Sequence, residues 1–243
     1  MKLNRILESA ILNEFGVAHE LQPFNTINSR DIDELAEVLE ITQKAAAPWL
    51  EEVSNGSLEQ YLMGYPFFRG RKGESRTVFY KRIREDRKPV DSSRETHDYI
   101  NDYLMDKGAV AHRGNSAFVT RSMANAGAYG SVYYIFPVGQ YSYTWIKGMT
   151  DFTTMFNELL RNVSGDDVSK MGELDLTQSN DKKVWDEALK RIINLNMEGK
   201  IFINEGIDRV MNEEVMIHAD GMIYIDQRVF DRNKIRRALD EIE

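Results

Sequence analysis

Ser131-Val132-Tyr133-Tyr134-Ile135-Phe136-Pro137-Val138-Gly139 is the stretch on which the reading of the fold turns. Val, Tyr, Ile and Phe suit a pleated, half-buried surface and Gly139 punctuates them, so the run predicts a central β-strand from Ser131 to Val138. Downstream, Phe152, Met155, Phe156, Leu159 and Leu160 mark a helix, and the polar run from Ser164 to Asp181 predicts a mobile surface loop. Trp185, Ala188, Leu189 and Ile192 mark a further helix before Gly199. Strands are expected at Lys200 to Asn204, Glu214 to Ile217 and Met222 to Asp226, with Asp220-Gly221 as a hairpin turn. A short helix carrying Ile235, Leu239 and Ile242 follows.

Upstream, His97, Ile100, Tyr103 and Leu104 form one helix face that stops at Gly108. Tyr65 to Val78 alternates glycine, arginine and aromatics without helical period, which predicts a strand and an ordered loop. Ile32, Leu35, Ala36 and Leu39 recur at helical spacing behind a cap at Asn28 or Ser29, with Asp31, Asp33 and Glu34 in the first turn. Helices come first and then a sheet interrupted by helices, so the expected class is α+β. The expected division is an N-terminal helical segment, residues 1–60, before a sheet-bearing domain, residues 61–243.

A chain of 243 residues can bury a substantial core. It has no cysteine, and its four histidines, His19, His97, His112 and His218, lack metal-site spacing, so no metal is expected. Met1 to Phe15 interleaves Lys2, Arg5, Glu8 and Glu14 with apolar residues, as an amphipathic helix does and a signal peptide does not. The longest apolar run, Val132 to Val138, is too short to cross a bilayer. The expectation is a cytoplasmic protein without a membrane partner. A net charge of −8 opposes indiscriminate nucleic-acid binding. Arg69 to Lys88 is a local exception, with nine basic residues against three acidic ones. Such a run is most often a solvated helix face, and otherwise attracts phosphates, whether of a nucleotide or of a nucleic-acid-associated target.

Four segments carry a family resemblance. Phe68-Arg69-Gly70 resembles an aromatic-Arg-Gly first core strand, and Phe118-Val119-Thr120-Arg121, followed by Ala124, Ala128 and Tyr129, a second motif with its small-residue helix. Tyr134-Ile135-Phe136-Pro137-Val138-Gly139 with Tyr143-Thr144-Trp145-Ile146 resembles the next strand. Asn212-Glu213-Glu214-Val215-Met216-Ile217 resembles a third motif whose second glutamate is catalytic. In this order the motifs are similar to those of mono-ADP-ribosyltransferases of the arginine, Ser-Thr-Ser, Glu-x-Glu class, which includes clostridial toxins and transferases of T4-like phages. Residues 65 to 226 are covered.

The resemblance implies a split β-sandwich core preceded by N-terminal helices, with residues 61–243 as the NAD-binding catalytic domain. It implies NAD as substrate, a host protein as acceptor, and the cytoplasm of a phage-infected bacterium as one place of action. Cleaving the nicotinamide–ribose bond passes through an oxocarbenium-like state, which requires a carboxylate near the ribose, a cation for the pyrophosphate and hydroxyls to fix both. By carry-over Glu214 is the catalytic carboxylate and Asn212 handles the acceptor, while Arg69, Gly70, Phe118, Thr120 and Tyr129 hold NAD. Arg69 offers a bidentate fork beside a glycine that a ligand can approach. Tyr80, Tyr129, Tyr134 and Trp145 are candidates for stacking on a ring, although aromatics in such runs are mostly core. Val119 and Arg121 replace the two serines of the second motif, and Asn212 replaces Glu or Gln, so the first acidic position cannot act as a base. Taken singly, a strand-entry glutamate is usually solvated, an arginine usually surface, and a strand threonine a matter of β-propensity. The alternative class is an interaction protein that keeps the fold while its active site has decayed.

Overall fold

The computed structural model describes residues 32–88, 94–151, 197–229 and 232–242, with isolated positions between 183 and 193. The expected helices at 1–15 and 152–160, the cap at Asn28 or Ser29, the loop at 164–181 and the positions of Trp185, Ala188 and Ile192 lie outside the described residues.

Three helices come first: α1 (Ile32–Ala45), α2 (Ala47–Ser54) and α3 (Leu58–Met63). Pro48 sits in the first turn of α2, where its missing N–H costs nothing, and the Ser57 hydroxyl accepts from Gln60 N at 3.1 Å to cap α3. Then follow β1 (Phe68–Arg71), β2 (Val78–Lys81), α4 (Arg94–Asp106), β3 (Ala117–Val119), α5 (Met123–Gly127) and β4 (Ser131–Ile146). The described residues close with β5 (Ile201–Ile203), β6 (Val215–Asp226) and α6 (Arg232–Asp240).

All pairings are antiparallel and form a six-stranded sheet with the path β1-β4-β6-β2, β3 adding to β6 and β5 to β4. The α+β class stands. β4 and β6 run side by side through the whole sheet. Two sequence expectations need correction here. Gly139 does not end the strand, and Asp220-Gly221 is not a hairpin, because β6 passes through it unbroken. Both sites serve one bulge: the β4 register shifts between Val138 and Tyr141, Gly139 takes φ +77°, and the Asp220 carboxylate accepts from Gln140 N at 3.1 Å. Pro137 is tolerated within a central strand because alternate N–H groups face opposite neighbours. Ile135 N donates to Phe67 O on the β1 side at 3.2 Å, so the Pro137 nitrogen faces the same side beyond the end of β1.

One sheet face carries Val215, Ile217, Ala219, Ile223 and Ile225 into an apolar cluster with Leu39, Trp49, Leu50, Tyr61, Ile235 and Ala238. Helices α1, α2, α3 and α6 therefore share the core of the sheet. Trp49 is fully buried and packs edge-on to Tyr141 and Tyr143. On the opposite face α4 contributes Ile100 and Leu104 to a second cluster with Ile146, Leu189, Ile193 and Met216. His97 on α4 is buried. The candidate site lies on this second face, where Met222 and Tyr224 of β6 and Tyr133 and Ile135 of β4 are themselves buried.

Candidate functional site

Side chains alternate along a strand, so Glu214, at the entry to β6, shares a face with Met216, His218, Met222 and Tyr224. The pairs Met216–Phe118, Tyr224–Ile135 and Tyr133–Arg69 carry Phe118 and Arg69 onto that same face. A single bridge closes the rim between them. Phe68 N donates to Thr120 O at 2.7 Å and Thr120 N to Phe68 O at 3.0 Å, tying the start of β1 to the end of β3. β1, β4, β6 and β3 thus form a closed ring of pairings, and the motifs that carry Arg69, Thr120 and Glu214 meet on it.

The Glu214 side chain is 19% exposed, and its Oε1 lies 3.7 Å from Arg113 Nη1. Burial pushes its pKa up to about 7, against the pull of Arg113, with Asp151 raising it further and Arg87 and Arg69 lowering it. Arg87 lies mostly inside: burial brings its pKa to about 10, helped by Arg69 and Arg113 and opposed by Glu214 and Tyr224. The guanidinium carbons of Arg87 and Arg113 stand 4.0 and 4.9 Å from the Phe118 ring centroid. Phe118 therefore contacts both cations, of which Arg113 pairs with the carboxylate.

Several candidates have structural duties. The Thr120 hydroxyl donates to Asn212 O at 3.3 Å and accepts from Ser122 N at 3.1 Å, so it holds the loop before Glu214. Asn212 itself is exposed. The Glu213 carboxylate accepts from Met211 N, Asn212 N and Gly148 N at 2.9, 3.1 and 3.2 Å. Burial would raise its pKa, but these backbone donors outweigh it and leave it below the usual range. Glu213 is a loop clasp. The absent side chain of Gly70 answers a close approach by α5, since a Cβ there would lie 1.8 Å from Ala126 O. Tyr129 is 51% exposed and its hydroxyl donates to Asp151 Oδ2 at 2.5 Å. Of the other aromatics, Tyr134 and Trp145 are buried core, and Tyr80 is half-buried with its ring against Gly221.

The basic run at 69–88 is a correction as well as a finding. It holds no helix: it is β1, a turn, β2 and a loop, bent around a cleft of 530 Å³. Twelve residues line the cleft, of which seven are Arg or Lys and none is acidic. Among them, Arg87 and Arg69 lower the pKa of Glu214. Arg71, Lys72, Lys81, Arg82 and Arg84 extend the lining away from it. Tyr224 forms part of the wall, stacked on Phe79 at 4.6 Å between centroids, with the Arg71 guanidinium 5.1 Å from its ring.

Arg113 and Asp151 were not legible in the sequence. Arg113 reaches Glu214 because Asn101 Oδ1 on α4 accepts from Gly114 N at 3.1 Å, and Arg87 N donates to Gly114 O at 2.7 Å, fixing a loop with no periodic pattern. Among the described residues no group of three or more His, Asp or Glu could hold a metal, and no helix is long and apolar enough to cross a membrane. Comparison with protein-family models, curated proteins and solved structures yields no match.

Proposed function

We propose that the protein is an NAD-dependent mono-ADP-ribosyltransferase that moves ADP-ribose to a macromolecular acceptor, a host protein, in the cytoplasm, and releases nicotinamide. The observation that carries this reading is Glu214: an enclosed carboxylate paired with Arg113, on one sheet face with Arg69 and in the field of Arg69 and Arg87, at a rim closed by the Phe68–Thr120 bridge. That closure also supports the split-sandwich form of the fold. Arg69, with Arg87, would grip the pyrophosphate of NAD as planar forks. Ionised Glu214 would accept a hydrogen bond from the ribose 2′-hydroxyl and oppose the positive charge that develops as the C1′–nicotinamide bond breaks. The acceptor then bonds to C1′ and passes its proton to water. Glu213, bound by three backbone donors, is poorly placed to receive it, and the Asn212 amide can orient an acceptor but not deprotonate it.

The Thr120 hydroxyl and the Glu213 carboxylate, both engaged in holding the loop, favour one second reading, a binding module that keeps the fold while its active site has decayed. The two separate in one experiment: calorimetry with NAD, then nicotinamide release in the presence of cell lysate. Glu214→Gln should keep NAD affinity and lower release by several hundredfold, because its charge acts mainly in the transition state. NAD binding by the wild type with no release would leave only the binding module.

A further inference from the structure

The cleft carries more positive charge than a dinucleotide uses. Arg69 and Arg87 suffice for a single pyrophosphate, yet the lining continues through Arg71, Lys72, Lys81, Arg82 and Arg84 without one acidic side chain, on a chain of net charge −8. Crowding like charges is unfavourable, and the Lys81 ammonium shows it: burial, then Arg71, Arg84, Arg69 and Arg76, lower its pKa. Lys72, Lys81, Arg82 and Arg84 are exposed and able to reach an anion, while Arg71 is held flat against Tyr224 and Phe79. Cations gathered in one cleft from the turn after β1, the end of β2 and the following loop can meet an anion that repeats along a chain. A cleft of 530 Å³ is the size of a small-molecule site, which suits one strand better than the broader surface of a duplex.

We propose that Lys72, Lys81, Arg82 and Arg84 form a binding track for the phosphodiester backbone of a single-stranded nucleic acid. The track does not rest on the transferase reading, because binding needs neither NAD nor Glu214.

The test is fluorescence anisotropy of the full chain with a labelled single-stranded RNA, the matching DNA strand and the DNA duplex, across a salt series and without NAD. Unlabelled polyglutamate serves as competitor. The track predicts strand binding that weakens as salt rises and exceeds duplex binding, with the RNA and DNA arms showing whether the 2′-hydroxyl is read. Lys81→Gln/Arg82→Gln/Arg84→Gln should weaken strand binding at least tenfold and reduce the salt slope by about 2, with circular dichroism unchanged. Arg82→Gln/Arg84→Gln, confined to the loop, should show the same trend if the triple variant folds poorly. No strand binding at low salt, undiminished binding in both variants, or equal displacement by polyglutamate would each overturn the track, the last in favour of an acidic protein surface. Nicotinamide release is a separate readout, so loss of either result leaves the other standing.

Discussion

At Glu214 burial and charge pull in opposite directions, and the pKa of about 7 records that burial prevails. A carboxyl whose folded pKa lies above its unfolded value binds more protons in the native state. Stability is therefore fullest below the unfolded value near 4.5 and falls as pH rises to about 7, with the cost constant above that. Glu214→Gln removes the charge, so the variant should be the more stable by up to about 3 kcal/mol at pH 8, with the advantage fading by pH 5. Thermal melts at the two pH values check this; a variant less stable at pH 8 would mean that Arg113 needs the carboxylate more than burial resists it. Catalysis asks for the ionised form, so nicotinamide release should fall as pH drops through 7. Arg113→Ala takes away the nearest stabilising charge and should move that acid limb to higher pH, which a pH–rate profile would show. Arg113→Lys should restore the limb in part, since the charge remains while the stack on Phe118 is lost.

Between elements, the tightest approach in the site is that of β1 and α5 at Gly70. Gly70→Ala should cost about 1–3 kcal/mol, because a methyl would collide with the Ala126 carbonyl and the helix would have to shift. A melting temperature that stays put while NAD binding is lost would instead assign the glycine to the ligand. The elements were legible where one residue type decides them. Ser131 to Val138 is too rich in aromatic and β-branched residues to be anything but a strand, and the α4 face ends at Gly108, which takes φ +87°. They were illegible where turn residues serve another purpose: Gly139 and Asp220-Gly221 read as chain reversals, but they build a bulge inside two long strands. The site divides in the same way. The arginine and the glutamate could be picked out from local motifs, whereas the duties of Thr120 and Arg113 depend on partners 92 and 101 positions away in the chain.

Across the molecule, helices and sheet share one apolar cluster, so the N-terminal helices should not melt apart from the strands. Trp49→Ala removes a fully buried ring from the seam between them and should cost about 3–5 kcal/mol. Far-UV circular dichroism and tryptophan fluorescence should still report one transition, shifted to lower temperature; two separated transitions would show that the helices form an independent unit. The sheet has a further property: none of its pairings among the described residues is a hairpin. Phe68 meets Tyr134, Val78 meets Ile225 and Ala117 meets Ile217, so each ladder must close a long loop before its first hydrogen bond returns anything. High contact order slows folding and prolongs the life of open strand edges. β6 bears the heaviest consequence, since β2, β3 and β4 all dock on it, and a chain awaiting that one strand presents three unsatisfied edges to whatever else is in solution.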